Sequence, residues 1–145
     1  MNLVIKHFNQ LSAEELYSIY MLRVAVFVVE QKCAYQEVDE LDKDAYHLWL
    51  EDESGIVAYS RVLPPGKVFE DAAIGRVIAV KRRIGLGTKI VQSAIDVART
   101  KFGSTSITLE AQVYARTLYE KLGFVQTSEE FLEDNIPHIQ MKLGL

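Results

Sequence analysis

The spacing of apolar positions changes along the chain. From Thr88 to Lys101, Ile90, Val91, Ala94, Ile95 and Ala98 recur at helical intervals, with Lys89, Asp96 and Arg99 on the opposite face. Just upstream, Val77, Ile78 and Val80 form a β-branched run that reads as a strand. Lys81 to Gly87 joins strand to helix as a basic, glycine-containing turn. A second helix is signalled at Ser12, where Ser-Ala-Glu-Glu forms a capping box with Glu15. Its apolar stripe is Leu16, Ile19, Tyr20, Val24 and Phe27, and it runs to Glu30 or Gln31. Leu3 to Phe8 reads as a short strand. Tyr46 to Glu53 and Ile56 to Leu63 flank the turn pair Ser54-Gly55 as a hairpin. Ser106 to Gln112, Phe124 to Thr127 and Ile136 to Leu143 complete the strands, and Ala115 to Leu122 is a short helix ended by Gly123. The acidic stretch Cys33 to Ala45 reads as a loop. Strands on both sides of the helices, with few strand–helix–strand units, indicate an α+β or mixed three-layer sheet.

A strand, a glycine loop and a helix start aim backbone N–H groups and a helix N-terminus at one point, which suits an anion and above all a phosphate. Lys81, Arg82 and Arg83 add positive charge there. Gly85-Leu86-Gly87 lacks the third glycine of the dinucleotide fingerprint, and no Gly-Lys-Ser/Thr ending makes it a Walker loop. The alternative is a plain strand–helix turn whose arginines face water.

Composition narrows the class. One hundred and forty-five residues predict one domain, 1–145, and 49% hydrophobic with 25% charged residues is an ordinary globular mixture. A net charge of −4 argues against nucleic acid as the main partner. No apolar run reaches the ~20 residues of a membrane span, and MNLVIKHFNQ holds no signal-peptide core. The single cysteine, Cys33, fits a reducing compartment, so a cytoplasmic location is expected.

Further segments carry a family resemblance. Arg82-Arg83-Ile84-Gly85-Leu86-Gly87 fits Arg-x-x-Gly-x-Gly, and Leu118-Tyr119-Glu120-Lys121 is followed by Gly123-Phe124. In this combination and order the chain resembles the GNAT superfamily of N-acetyltransferases. Arg23 to Asp39 (RVAVFVVEQKCAYQEVD), Gly75-Arg76-Val77, Glu110-Ala111-Gln112 and Glu133 to Ile139 resemble its ElaA-like branch. The loop departs from the common pattern in carrying Arg83 where glycine is usual and in lacking an earlier proline.

The resemblance implies a twisted mixed sheet of six or seven strands, with a splayed central pair and helices on both faces. It implies acetyl-CoA as cofactor, with Ile78, Ala79 and Val80 along the pantetheine arm. Arg82, Arg83, Ile84, Gly85, Leu86, Gly87 and Thr88 would meet the pyrophosphate, with Gln112 and Tyr119 completing the cofactor set. No metal is implied. The acceptor would be the amine of a small molecule or peptide, and a homodimer through a sheet edge is also implied.

Acetyl transfer needs a neutral amine, a polarised carbonyl and a proton for the departing thiolate. Tyr119 is the candidate acid, because a phenol with pKa ~10 is protonated at neutral pH; its alternative is a core aromatic. Backbone N–H groups near Ile78 to Val80 would polarise the carbonyl. Glu110 heads the candidate bases, followed by Glu30, His47, Glu133, Asp134 and His138. These last five also stand as candidate acceptor-side residues, because by resemblance their segments border that side. An acidic pocket there would favour a cationic amine or polyamine. Two other readings stay open: a non-catalytic acyl-CoA-binding regulatory module, and a protein binding a different phosphate ligand.

Overall fold

The computed structural model describes residues 1–80 and 84–145. Among these, eight strands form one sheet in the order β1-β2-β3-β4-β5-β8-β6, with β7 against β8. They are β1 (Asn2–His7), β2 (Tyr46–Asp52), β3 (Gly55–Leu63), β4 (Ala72–Ala79), β5 (Ser106–Gln112), β6 (Val125–Gln126), β7 (Phe131–Glu133) and β8 (Ile136–Gly144). Two strands, β6 and β7, are only two and three residues long. The helices are α1 (Ala13–Val24), α2 (Leu86–Phe102) and α3 (Arg116–Lys121).

Local chemistry sets these boundaries. The Ser12 hydroxyl accepts from the Glu15 N–H at 3.1 Å while the Glu15 carboxylate accepts from the Ser12 N–H at 2.9 Å. That reciprocal pair fixes the start of α1. The helical rise continues past Val24, but Ala25–Glu30 widens into a π-helix. Gln31 N–H donates to Val26 O and Cys33 N–H to Val28 O, each five residues back. The extra residue per turn delivers Glu30 and Gln31 to the sheet's central gap. Gly103, in the left-handed region at φ 59°, ends α2.

The period-two alternation of the strands divides the core. Leu48 and Leu50 pack with Ile90, Val91, Ala94 and Ile95 of α2, while Trp49, Tyr59 and Ile78 pack with Ile19 of α1. Helices therefore cover both faces. Each fully buried aliphatic side chain here contributes about 1.5–3 kcal/mol of transfer free energy, so α2, whose Ile90, Val91 and Ala94 are at 0% exposure, anchors its face.

The centre of the sheet positions the site. β4 and β5 are parallel neighbours but pair only at Ala72–Ile107 and Ala73–Thr108. Asp71 ties this short contact, its carboxylate accepting from the Ser106 and Thr108 hydroxyls and pairing with Lys142. Beyond it the strands part: β4 follows β3, and β5 follows β8 along all seven of its residues. A register shift between Tyr59 and Arg61 marks a bulge in β4, where Arg76 takes φ 52°.

Candidate functional site at the parted strands

The divergence opens a cleft of about 820 Å³ that reaches both sheet faces. Val77, Ile78, Ala79 and Val80 form one wall, and Leu109, Glu110 and Gln112 the other. Val80 N–H donates to Val57 O at 2.8 Å. Because successive N–H groups alternate between strand edges, that of Ala79 turns away from β3 and toward the cleft. At one end lies the start of α2. Lys89 N–H donates to Gly85 O at 3.2 Å, so the amides of Leu86, Gly87 and Thr88 belong to the first turn of α2, facing this end of the cleft. Gly85 holds φ 74°, a conformation that a side chain would strain, and a Cβ on Gly87 would come within 2.9 Å of Leu118 Cδ1. The two glycines thus permit the turn and the close approach of α3.

Tyr119, on α3, lines the cleft at 7% exposure, its ring edge-on to Phe124. Burial, reinforced by Tyr114, pushes its phenol well above the ordinary value, so it remains protonated at neutral pH. Across the gap, Glu110 projects from β5. Although its side chain is exposed, partial desolvation at the cleft wall and the neighbouring Glu133 carboxylate raise its pKa, against the opposing influence of His138. Glu30, Glu133, Asp134 and His138 line the same cleft, and Gln112 Nε2 donates to Gln31 Oε1 at 3.3 Å across it. A two-residue turn, Asp134 and Asn135, both at positive φ, joins β7 to β8 and holds Glu133 in place.

Several expected residues lie elsewhere. His47 is fully buried outside the cleft, with Nδ1 2.7 Å from the Tyr59 hydroxyl and Nε2 2.9 Å from Asp42 O. Burial lowers its pKa, so it is a neutral structural ring rather than an acceptor-side group. The Leu86 side chain enters the core and that of Ile84 faces solvent, which leaves only their backbone for a ligand. Lys81, Arg82 and Arg83 lie outside the described residues.

The acidic loop is also corrected. Glu37 and Asp42 are buried at 2% and 0%, paired with a fully buried Arg23. Arg61 joins Asp39 at 2.7 Å and Asp42 at 3.0 Å, and Arg76 pairs with Glu37 and donates to its backbone oxygen at 2.9 Å. These acids neutralise arginines instead of giving the cleft negative charge. Arg76 closes the set under the Tyr35 ring, and its pairing holds the left-handed bulge. The sequence offered one signal for this network. Arg23, four residues after Ile19, falls on the apolar stripe of its helix, where a charge demands a buried partner.

A sheet whose parallel central strands part beside an exposed helix N-terminus fits a phosphate-bearing, extended acyl donor. The profile of the acetyltransferase (GNAT) domain family matches residues 9–145, and the chain belongs to this family. A UPF0039 protein of Schizosaccharomyces pombe is 44% identical, covering 98% of this chain and 96% of its own. Protein ElaA of Escherichia coli is 36% identical over 93% of this chain and 91% of its own. Among solved structures, an acyl-CoA N-acyltransferase from Pseudomonas aeruginosa matches with a TM-score of 0.90 at 40% identity, covering 98% of this chain and 99% of that one. Family membership supports an acyl-CoA N-acyltransferase activity. Among the described residues no helix is long and apolar enough to cross a membrane, and no His, Cys, Asp or Glu group is arranged for a metal ion.

Proposed function

We propose that the chain transfers an acetyl group from acetyl-CoA to a primary amine, by direct attack within a ternary complex. The observation that carries this reading is the parting of β4 and β5 after Ala73 and Thr108, beside the first turn of α2. The cleft volume falls within the ~300–1,000 Å³ of small-ligand sites. Acetyl-CoA supplies an activated acyl group as its thioester. Leu86, Gly87 and Thr88 offer amides to the pyrophosphate, with the charge of Arg82 and Arg83 as further support from the sequence. The Ala79 N–H donates to the carbonyl oxygen where negative charge develops. Glu110 takes the proton lost by the amine, so that nitrogen bonds to the acyl carbon. As the carbon–sulfur bond breaks, Tyr119 would give its hydroxyl proton to the sulfur, and the second proton, left on the acylated nitrogen, would return through water to the Tyr119 oxygen.

The acceptor wall favours a cationic amine. Glu30, Glu110, Glu133 and Asp134 border it, while Glu37, Asp39 and Asp42 are neutralised by arginines. Calorimetric titration with acetyl-CoA and CoA tests the donor half, beside a Gly85→Asp, Gly87→Asp variant. Micromolar binding that the variant loses is expected, because the new carboxylates meet the phosphates. Equal binding by both proteins would remove the helix start from the donor site.

A further inference from the structure

We propose that the acceptor is an amine with one positive charge whose tail is an uncharged ring or branched chain, seated against Val68 and Phe69 at the base of the cleft. The inference rests on reading the cleft as an N-acyltransferase site and names the class of amine that the site selects.

The strands place this subsite. Ala72 and Ile74 of β4 and Ile107, Leu109 and Ala111 of β5 share a core with α2. Side chains alternate along a strand, so Ala73, Thr108 and Glu110 emerge on the opposite face. Ala73 pairs with Thr108, and Glu110 stands two residues further along β5, about 7 Å beyond that level. At the Ala73 level the cleft is apolar, lined by Leu41, Leu63, Val68, Phe69 and Ala73 itself. Leu63 and Ala73 are buried, and Leu41 and Phe69 pack against them in a cluster of their own, apart from the cores beneath α1 and α2. A turn between β3 and β4, closed by Gly66 N–H donating to Phe69 O at 2.8 Å, holds Phe69 there. Val68 lines the cleft yet is 47% exposed.

Charge separates the two levels. Glu30, Glu110, Glu133 and Asp134 border the cleft where the amine would react. Near the apolar level the charges are matched within the chain. Arg61, two residues from Leu63 on β3, pairs with Asp39 and Asp42, and Arg76 pairs with Glu37. A second ammonium group placed there would give up its hydration to meet carboxylates already held by arginines. An apolar tail gains by leaving water at the same place. A ring joined to the nitrogen through two carbons spans the separation and can lie edge-on or offset against Phe69. A diamine of similar length would put a charge where that ring sits.

The test measures acetyl transfer by the whole chain to phenethylamine, ethylamine and diaminobutane, with Phe69→Ala and Val68→Asp variants alongside. Wild type is expected to favour phenethylamine over both other amines by about tenfold or more in kcat/KM, through a lower KM for the amine. In Phe69→Ala the preference for phenethylamine over ethylamine should fall about tenfold, again in KM rather than kcat. Val68→Asp changes an exposed side chain that the fold can spare. It should move the ratio of diaminobutane to phenethylamine toward the diamine, because the second ammonium then meets an unpaired carboxylate. An active wild type without the preference for phenethylamine, or ratios that ignore both substitutions, overturns the subsite alone. A wild type that acylates none of the three amines overturns the transferase reading and the subsite with it.

Discussion

Two groups of charged side chains meet the same cleft and do opposite things. Beneath the β4 bulge, Arg23, Arg61 and Arg76 are matched by Glu37, Asp39 and Asp42, and the inner members are dry. On the β5–β7–β8 side, Glu110 and Glu133 line the cleft, and Glu133 lies 3.8 Å from His138. Burial alone would raise the Asp42 pKa, yet the hydrogen bonds and charges of Arg23 and Arg61 hold it below the usual carboxylate range. Glu110, without an arginine, is pushed the other way. A carboxylate locked below its ordinary value holds structure together. One raised above its ordinary value is available to exchange a proton. The partner, not the residue type, separates scaffold from chemistry.

The contrast is sharpest at Arg23. Arg23→Met leaves Glu37 and Asp42 buried without their main partner, and urea denaturation should show a loss of about 3–5 kcal/mol. A loss below 1 kcal/mol would mean that the network is not a scaffold. Glu37→Gln keeps the size and removes the charge. It should cost about 1–3 kcal/mol by leaving guanidinium donors of Arg23 and Arg76 poorly satisfied.

Acid provides a third comparison. Asp42 has a folded pKa below its unfolded value, so its contribution is complete above ~3.9 and declines as pH falls through the folded value. His47, kept neutral by burial, acts earlier. Below its unfolded pKa of ~6.5 the unfolded chain binds a proton that the native chain refuses, so stability falls with falling pH. Thermal unfolding from pH 7.5 to 5 should show this decline, and His47→Gln should flatten it. The smallest effect on stability belongs to Glu110→Gln. Removing a carboxyl whose ionised form the fold disfavours should leave the melting midpoint unchanged or slightly raised, while turnover falls by about a hundredfold. A large drop in the midpoint would place Glu110 in the scaffold instead.

Much of the architecture was written locally. The capping box at Ser12 and the strand Ser106–Gln112 rest on neighbours in sequence and form where the pattern puts them, while the hairpin turn falls one residue earlier than Ser54-Gly55, at Glu53-Ser54, with Gly55 paired to Asp52. The pattern assigns Ile136 to Leu143 as a strand but no element to Phe131–Glu133, because Asp134-Asn135 has no glycine to announce the two positive φ values that turn β7 into β8. The π-helix at Ala25–Glu30 was likewise hidden, since its apolar spacing continues that of α1. Glu30, Glu133, Asp134 and His138 line one cleft with Glu110 and Tyr119. His47 and the acidic loop differ because their partners come from distant segments. Arg61 meets Asp42 across 19 positions and Arg76 meets Glu37 across 39, which no local pattern can reveal.

The central claim is that the cleft catalyses transfer rather than only holding an acyl-CoA. Thiol release from acetyl-CoA over a panel of primary amines, with Tyr119→Phe alongside, tests it most directly. The account predicts thiol and N-acetyl product in equal amounts, fastest with cationic amines. It also predicts a Tyr119→Phe variant that binds acetyl-CoA normally while turning over at least a hundredfold more slowly. Tight acetyl-CoA binding with no thiol released for any amine would contradict it and leave an acyl-CoA-binding module in place of an enzyme.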